Sequence, residues 1–413
     1  DSAEYNGWIS RGWIQEEWLH IDLLPDTVRL PRRYAFRFVK IEVLDVSSRF
    51  SLIIEDAEVD STTSADDSSI LPFTGTSEED AIDRISIRTL RNCMQDFFED
   101  GPKRDRRLWI GDLRLQALTN SAVYRNAALV KRCLYLFAAC TDENGRIPAC
   151  LFTKPEIVGD DTYMFDYSLF FIAVLADHVA EYQDMETGKE LFPVALRQWE
   201  LSKSYFDEKN VMKDRDDLGW CFLDWNLKLN KQAGAQFVYI YCMKKLLSLS
   251  EMFAEKNLSD SIREDISAKS EAAVKAFYDK EIGLFVSGPD RQISYAAQSW
   301  AVIAGVCSRE ENRKLLLTLQ GRTDAEKMVT PYMNHVYVEA LIASGMRKEA
   351  YEHMIYYWGS MVKDGADTFY ELFNPEDPDE SPYGSPIVNS YCHAWSCTPA
   401  YFMRKGGLKA DRI

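Results

Sequence analysis

A short segment at residues 100–112 carries an unusual density of side chains that can do chemistry. It contains three carboxylates, Asp100, Asp105 and Asp112, together with four cations and one Trp. Gly101-Pro102 ends the helical pattern that precedes this segment, and Gly111 opens the helical pattern that follows it. The acids are therefore predicted to lie on a loop between two rigid elements, where catalytic groups are commonly displayed.

Three further stretches combine carboxylates or a His with aromatic rings. They lie at residues 214–225, which hold two Trp beside several Asp, at residues 365–373, and at residues 393–396. Aromatic faces stack on the C–H faces of a sugar ring, while the sugar hydroxyls donate to carboxylates. This combination predicts a carbohydrate site, and a net charge of -17 gives a neutral ligand no electrostatic penalty.

Composition argues against several other classes of protein. The net charge of -17, without a local basic stripe, argues against nucleic-acid binding. No run approaches eighteen apolar residues, and the first residues lack the features of a signal peptide, so we expect a soluble protein without membrane insertion. The nine Cys include no CxxC pair, and the five His show no ligand spacing, so neither a metal nor a cofactor is predicted.

Helical spacing dominates the chain after residue 80 and must supply the frame for these loops. Start and stop signals include Asp161, Ser259 and Ser308 as N-caps, and Gly345 at a helix end. The predicted helices cover residues 81–98, 111–140, 161–183, 189–206, 231–256, 260–279, 292–306, 309–319, 330–345, 347–362 and 389–404. These predict a mainly α fold, a toroid of six helical hairpins, whose long loops at 99–110, 141–160, 207–230 and 364–388 line one central pocket.

The first 60 residues show a different pattern. Residues 27–30, 36–44 and 50–54 form β-type runs, and residues 61–80 are rich in Ser, Thr, Asp and Gly, as in a linker. Three runs cannot close a β-sandwich alone. We therefore expect residues 1–60 to be the end of a β-domain whose beginning is missing or truncated, followed by a linker at 61–80 and a helical catalytic domain at 81–413.

Four motifs in this order resemble those of the inverting α-L-rhamnosidases of glycoside hydrolase family 78. They lie at residues 100–112, 222–225, 365–371 and 392–396. The resemblance covers nearly the whole chain: residues 30–38 are similar to the end of a β-sandwich, and residues 81–404 are similar to the (α/α)6 barrel. It implies release of terminal α-L-rhamnose from glycosides or polysaccharide fragments by single displacement with inversion.

The resemblance also implies roles for individual residues. Asp105 stands at the position of the general acid, where the family usually has Glu, and Glu371 stands at the position of the general base. Because Asp is one methylene shorter, either the backbone approaches the glycosidic oxygen more closely, or the acid lies elsewhere, or activity is altered. The positions implied to bind or line the sugar site are Asp100, Arg104, Trp109, Asp112, Trp220, Asp224, Trp225 and His393. Trp395 is a further candidate, as an apolar wall for the C6 methyl group of rhamnose.

Other interpretations stay open at this stage. Another (α/α)6 enzyme is one, either an inverting glycosidase for a different sugar or a polysaccharide lyase, although a lyase would favour a Tyr or His base and cations. A non-catalytic carbohydrate-binding relative is another, and Asp105 keeps it open. Structural roles compete as well: His393 as a core histidine, and Trp220 and Trp225 as core aromatics. The sequence does not determine the aglycone, the oligomeric state, or the compartment, periplasm or cytoplasm.

Overall fold

The described residues of the computed structural model, 18–30, 32–49, 51–103 and 105–413, form twelve α-helices. In chain order they are α1 Ser77–Cys93, α2 Ile110–Ala122, α3 Ala127–Ala139, α4 Phe165–Tyr182, α5 Met185–Ser202, α6 Gln232–Met252, α7 Lys256–Phe277, α8 Tyr295–Ala304, α9 Arg309–Gln320, α10 Pro331–Ala343, α11 Arg347–Lys363 and α12 Pro399–Arg404. Among these residues, no helix is both long and apolar enough to cross a membrane.

The even-numbered helices form an inner ring and the odd-numbered helices an outer ring. Helix α4 is buried on every side from Phe165 to Ala176, whereas α9 buries only one stripe, Asn312, Leu315, Leu316 and Leu319. The inner helices pack in the order α2, α4, α6, α8 and α10, and α12 closes the ring against α1 and α2. This is the predicted (α/α)6 barrel.

The inner helices all begin at the same face of the barrel. Each follows an outer helix that runs in the opposite direction, so the six segments that lead into inner helices collect at one end. The four long loops predicted to line the pocket are among these segments. Below them the barrel axis is filled by rings: Phe170 of α4 stacks on Trp300 of α8 at 5.8 Å and lies 6.5 Å from Tyr332 of α10.

Local signals explain where several helices begin and end. Thr76 with Glu79 and Ser308 with Glu311 form capping boxes at α1 and α9, and Gly345 follows α10 in the left-handed region at φ 75°. Ser308 and Gly345 therefore confirm their predictions. The caps predicted at Asp161 and Ser259 are wrong. Helix α4 begins only at Phe165, and the Ser259 hydroxyl lies inside α7, where it bonds the Glu255 carbonyl.

Two predicted helices differ most in extent. The stretch 111–140 is divided into α2 and α3, because Arg125 adopts a left-handed φ of 56° and the Asn126 side chain caps a new helix by accepting from Leu129 N–H. The stretch 389–404 keeps only α12, since residues before Pro399 form a 3-10 turn at Ala394–Ser396 and extended chain. His393 therefore lies on a loop, and not on a helix as predicted.

Two small antiparallel sheets fix the loops that enter the inner ring. Strands β1 Leu108–Trp109, β2 Cys150–Phe152 and β3 Val158–Gly159 pair in that order, with Trp109 opposite Cys150. Strands β4 Tyr278–Asp279 and β5 Leu284–Phe285 form a hairpin before α8. The first sheet joins the loop 99–110 to the loop 141–160 and so holds Trp109 at the start of α2.

The amino-terminal segment contains no strand within residues 18–30, 32–49 and 51–60. The β-type runs predicted at 27–30 and 36–44 have no strand and no ladder partner among the described residues, and Phe50, at the start of the third, lies outside them. A strand needs a neighbour to bond its backbone groups, and the described part of the chain offers these runs none. Their side chains remain exposed, as at Phe38, which is 83% exposed.

Candidate active site

Backbone hydrogen bonds join three of the predicted motifs at the entrance of the barrel. The Ala394 N–H donates to the Asp100 carbonyl at 2.9 Å, and the His393 N–H donates to the Phe369 carbonyl at 2.9 Å. The Glu371 N–H donates to the Ser390 carbonyl at 2.8 Å. Segments that are nearly 300 residues apart in sequence are thereby held against one another.

Asp112 and His393 form a buried pair in this cluster. Asp112 lies in the first turn of α2, and its Oδ1 is 3.0 Å from Nε2 of His393. Burial raises the pKa of Asp112, the contact with His393 opposes that rise, and the charge of Glu371 adds to it. Nδ1 of His393 is buried without a hydrogen-bond partner among the described residues.

The turn that carries Asp105 is closed at its base by Asp100 and Arg107. The Asp100 N–H donates to the Arg107 carbonyl at 3.0 Å, and the Arg107 N–H donates to Oδ1 of Asp100 at 3.0 Å. Within the turn, Asp105 and Arg106 adopt φ values of 56° and 53°, a conformation that costs side-chain-bearing residues about 1–3 kcal/mol each. The backbone is thus held in a strained form where the candidate acid is displayed.

Asp100 is strongly affected by its surroundings. It is fully enclosed, and burial raises its pKa well above the ordinary value, with the charges of Asp105 and Asp112 acting in the same direction. Its bond from the Arg107 N–H acts against this rise. Asp100 therefore keeps a proton to higher pH than an ordinary Asp and can donate as well as accept.

Both carboxylate oxygens of Glu371 are held by donors. The Tyr383 hydroxyl donates to Oε1 at 2.5 Å, and the Ser390 N–H donates to Oε2 at 3.2 Å. The Trp395 indole N–H donates to the Glu371 carbonyl at 2.8 Å, which fixes the backbone as well. Glu371 itself is only 3% exposed, so its orientation is set by the protein and not by solvent.

Aromatic rings surround these polar groups. Trp395 stacks on Phe222 at 5.7 Å and lies 4.3 Å from the His393 ring. Trp225 packs edge-on against Tyr383 at 5.8 Å. Trp109, half-buried, packs edge-on against Tyr167 of α4 at 6.2 Å, and α2 can approach that ring because Gly111 has no side chain: a Cβ there would lie 2.3 Å from it.

Asp224 is occupied by the protein itself. Its carboxylate accepts from Val329 N–H at 2.8 Å and from the Thr330 hydroxyl at 2.6 Å and N–H at 3.1 Å, just before α10. It also accepts from the Trp225 N–H at 2.9 Å. Burial raises its pKa to about 6. These contacts suit a helix anchor, so its sugar-binding role stays a prediction that they do not support.

Trp220 also lies apart from the carboxylate cluster. Its ring packs against Phe165 at 6.0 Å and Tyr205 at 6.4 Å and lines a separate cavity of about 260 Å³. None of the clustered acids lines that cavity. Arg104 lies outside the described residues. The predicted site residues that the structure does bring together are Asp100, Asp105, Asp112, Glu371, His393 and Trp395.

Two residues that hold the site were not predicted from sequence. Tyr383, in the acidic, Pro-rich stretch after residue 373, donates a hydrogen bond from its hydroxyl to the Glu371 carboxylate. Asp166, fully buried in the first turn of α4, accepts from the N–H groups of Phe222 and Leu223 at 2.9–3.1 Å. In the sequence, an acid at the start of an otherwise apolar helix is the signal that could have identified Asp166. A single aromatic residue in a polar loop is a weaker signal for Tyr383.

This arrangement can support acid–base chemistry on a neutral ligand. The cluster offers two buried carboxyls with raised pKa values, Asp100 and Asp112, next to Asp105. It also offers Glu371, whose two carboxylate oxygens accept hydrogen bonds from Tyr383 and Ser390. Among the described residues, no group of three or more His, Cys, Asp or Glu side chains could hold a metal ion.

Two family models match the sequence. Residues 1–61 match the glycosyl hydrolase family 78 alpha-rhamnosidase N-terminal domain. Residues 74–406 match the bacterial alpha-L-rhamnosidase 6 hairpin glycosidase domain. No curated protein matches the chain.

Solved structures are also similar to the chain. A rhamnosidase from Klebsiella oxytoca with rhamnose bound shares 47% identity at a TM-score of 0.95, over 98% of this chain and 79% of that one. The family 78 rhamnosidase of Bacillus sp. GL1 shares 21% identity at a TM-score of 0.70, over 79% and 34% of the two chains. An alpha-L-rhamnosidase from Streptomyces avermitilis complexed with L-rhamnose shares 13% identity at a TM-score of 0.63, over 80% and 32%. The last two likenesses concern the fold alone.

Proposed function

The chain belongs to glycoside hydrolase family 78, and we propose that it releases terminal α-L-rhamnose from glycosides or polysaccharide fragments by single displacement with inversion. The observation that carries the proposal is a pair of hydrogen bonds, from the Tyr383 hydroxyl and the Ser390 N–H, that orient the Glu371 carboxylate. Glu371 lies in the same cluster as the turn that displays Asp105, which we call the acid turn. The rhamnose bound to the similar Klebsiella oxytoca enzyme supports this class of substrate.

In the proposed mechanism Asp105 acts as the general acid. Its carboxyl proton passes to the glycosidic oxygen while the bond from that oxygen to the anomeric carbon breaks. Glu371 acts as the base: it takes a proton from a water that bonds to the anomeric carbon from the opposite face. An acid and a base about 6.5–9.5 Å apart leave room for that water. The sugar leaves with inverted configuration, and solvent restores both protonation states.

The other clustered residues bind the sugar in this proposal. Asp100, Asp112 and His393 contact its hydroxyls. Trp395, stacked on Phe222, provides an apolar wall for the C6 methyl group. A neutral sugar is favoured because the cluster is rich in acids and would repel a uronate.

A direct assay tests the proposal. The protein is incubated with 4-nitrophenyl α-L-rhamnoside while proton NMR follows the anomer released. We expect β-L-rhamnose first, which then mutarotates; initial release of the α-anomer would contradict inversion. Failure to hydrolyse this or natural rhamnosides, together with measurable rhamnose binding, would identify a binding protein instead.

Two isosteric variants test the assigned roles. Asp105→Asn and Glu371→Gln each remove one proton-transfer group, which is typically worth about 10²–10⁴-fold in turnover. We expect losses in that range with an unchanged circular dichroism spectrum. A variant that retains full turnover removes its residue from the proposed role.

A further inference from the structure

The turn that displays Asp105 depends on contacts from outside itself. Asp105 and Arg106 are two consecutive residues with side chains in the left-handed region, at φ 56° and 53°, where such residues are rarely stable on local grounds. Closure of the turn by Asp100 and Arg107 fixes its base and not its tip. Something else must hold the backbone at residues 105 and 106 in this form.

Arg106 supplies that restraint through two carbonyl groups. Its Nε donates to the Pro102 carbonyl at 2.6 Å, which ties it across the turn. Its Nη1 donates to the Arg33 carbonyl at 3.0 Å, in the amino-terminal segment. The guanidinium is half-buried, so water competes less for these bonds than it would at an exposed side chain. The acid turn is thus fastened to a residue about 70 positions earlier in the chain.

Arg33 is itself anchored to the residue that opens the catalytic loop. Its Nη2 lies 2.8 Å and 2.5 Å from the two carboxylate oxygens of Glu99, the residue before Asp100. Glu99 is 5% exposed, and its carbonyl accepts from the side chain of Gln116 in α2 at 2.7 Å. A charged hydrogen bond at a buried carboxylate is strong and directional. Arg33, Glu99 and Arg106 therefore form a brace between the amino-terminal segment and the acid turn.

We propose that Arg33 is a positioning residue for catalysis: through Glu99 and Arg106 it holds the turn so that the Asp105 carboxyl meets the glycosidic oxygen. The inference rests on the proposed role of Asp105. It assigns the amino-terminal segment a part in the reaction. Because Asp is one methylene shorter than Glu, the backbone at residue 105 must be placed closer to the glycosidic oxygen.

The leaving group of the substrate gives a selective test. A nitrophenolate departs with little help from an acid, whereas a sugar or alkyl alcohol must receive a proton as it leaves. We therefore compare kcat/KM of Arg33→Ala on 4-nitrophenyl α-L-rhamnoside and on methyl α-L-rhamnoside. Misplacement of an acid by about 1 Å can cost on the order of 100-fold. We expect the methyl glycoside to lose at least about tenfold more than the nitrophenyl glycoside.

Two further variants keep the test decisive. Arg29→Ala is the matched control, because Arg29 lies in the same segment but pairs with exposed Asp60, and it should leave both rates unchanged. Arg33→Met combined with Glu99→Gln removes both charges, which avoids an unpaired buried carboxylate if Arg33→Ala folds poorly. It should show the same leaving-group dependence.

The possible results separate the inference from the function on which it rests. Equal losses on both substrates, or losses that follow the melting temperature alone, would show Arg33 to be merely structural. Asp105→Asn serves as the reference. If it lacks leaving-group dependence, then Asp105 is not the acid, and the proposed function fails at that point whatever Arg33 does.

Discussion

At Glu371, the Tyr383 hydroxyl is a side-chain donor that orients the carboxylate. Changing Tyr383→Phe removes this 2.5 Å bond but keeps the ring against Trp225. A lost hydrogen bond to a charged group costs about 1.5–3 kcal/mol, so we expect kcat to fall by about tenfold or more with KM nearly unchanged. The acidic limb of the rate profile should move to higher pH, because the carboxylate loses a group that stabilises its charge.

A neighbouring tyrosine provides the control for that measurement. Tyr391 lies eight residues later, and its exposed hydroxyl donates to the Pro386 carbonyl at 3.2 Å. Tyr391→Phe therefore makes the same chemical change away from Glu371 and should leave the pH profile in place. An equal effect of both variants would mean that Tyr383 acts only through the stability of the loop.

Asp100 should make stability depend on pH. Its pKa is raised in the folded state by burial and by Asp105 and Asp112, so the folded protein holds a proton that the unfolded chain has released above about pH 4. The free energy of unfolding then falls as pH rises towards the raised pKa. Asp100→Asn removes this titration, so the free energy of unfolding of the variant should rise relative to that of the wild type by about 1.4 kcal/mol per pH unit in that window.

Urea unfolding between pH 4.5 and 7.5 measures this difference. The quantity to follow is the free energy of unfolding of Asp100→Asn minus that of the wild type. It should increase with pH even if the amide costs some stability at every pH. A flat difference would mean that Asp100 is not perturbed in the folded protein.

Residue types and motifs predicted the members of the cluster better than their surroundings. Asp100, Asp112, Glu371 and His393 meet as expected, because each stands in a distinctive pattern. Tyr383 escaped prediction, since a ring in a Pro-rich loop gives no sign of which group its hydroxyl will reach. Burial of Asp100 likewise depends on segments far away in sequence, and the direction of its pKa could not be obtained without them.

Among the elements, α10 depends on a residue from another loop. Asp224 accepts from Val329 N–H and Thr330 N–H, so Asp224→Ala leaves these buried groups without partners at the start of the helix. We expect it to lower the free energy of unfolding by about 2–4 kcal/mol, measured in urea at pH 7.5. Asp216→Ala, an exposed Asp in the same loop, should have little effect.

Rhamnose binding to the folded Asp224→Ala variant distinguishes the two roles given to this residue. If Asp224 only anchors the helix, its loss lowers the free energy of unfolding and leaves the dissociation constant for rhamnose within a few fold. If Asp224 contacts the sugar, its loss raises that dissociation constant strongly, while the free energy of unfolding hardly changes. The second outcome would restore the sugar-binding role predicted from the motif.

Helix boundaries show where sequence patterns were sufficient. Ser308 and Gly345 are confirmed because capping chemistry is local: each signal lies within four residues of the backbone group that it serves. The division of 111–140 was missed because both halves share one apolar pattern, and only the left-handed turn at Arg125 separates them. The shortening of 389–404 has a tertiary cause, since Ala394 and His393 bond the catalytic loops instead of continuing a helix.

Over the whole molecule, the shared direction of the inner helices suits the acid-rich entrance. The amino-terminal end of each helix carries a partial positive charge, and all six inner helices present that end to the same face. Asp112 and Asp166 lie in first turns, where this field offsets part of the rise in pKa that burial causes. The barrel can therefore concentrate acids at its entrance in a chain whose net charge is already -17.

The ring of helices closes where the last helix, α12, packs against the first helix, α1. Arg404 of α12 donates to both carboxylate oxygens of Asp83 in α1 at 2.7 Å, and the Ala410 N–H donates to Oε1 of Glu79 at 2.7 Å. Because these two ends touch, a short linker could join them, and the barrel could be opened at a turn far from the entrance. The same ring of hairpins could then be built from a chain that begins at a different hairpin, so the toroid is suited to circular permutation.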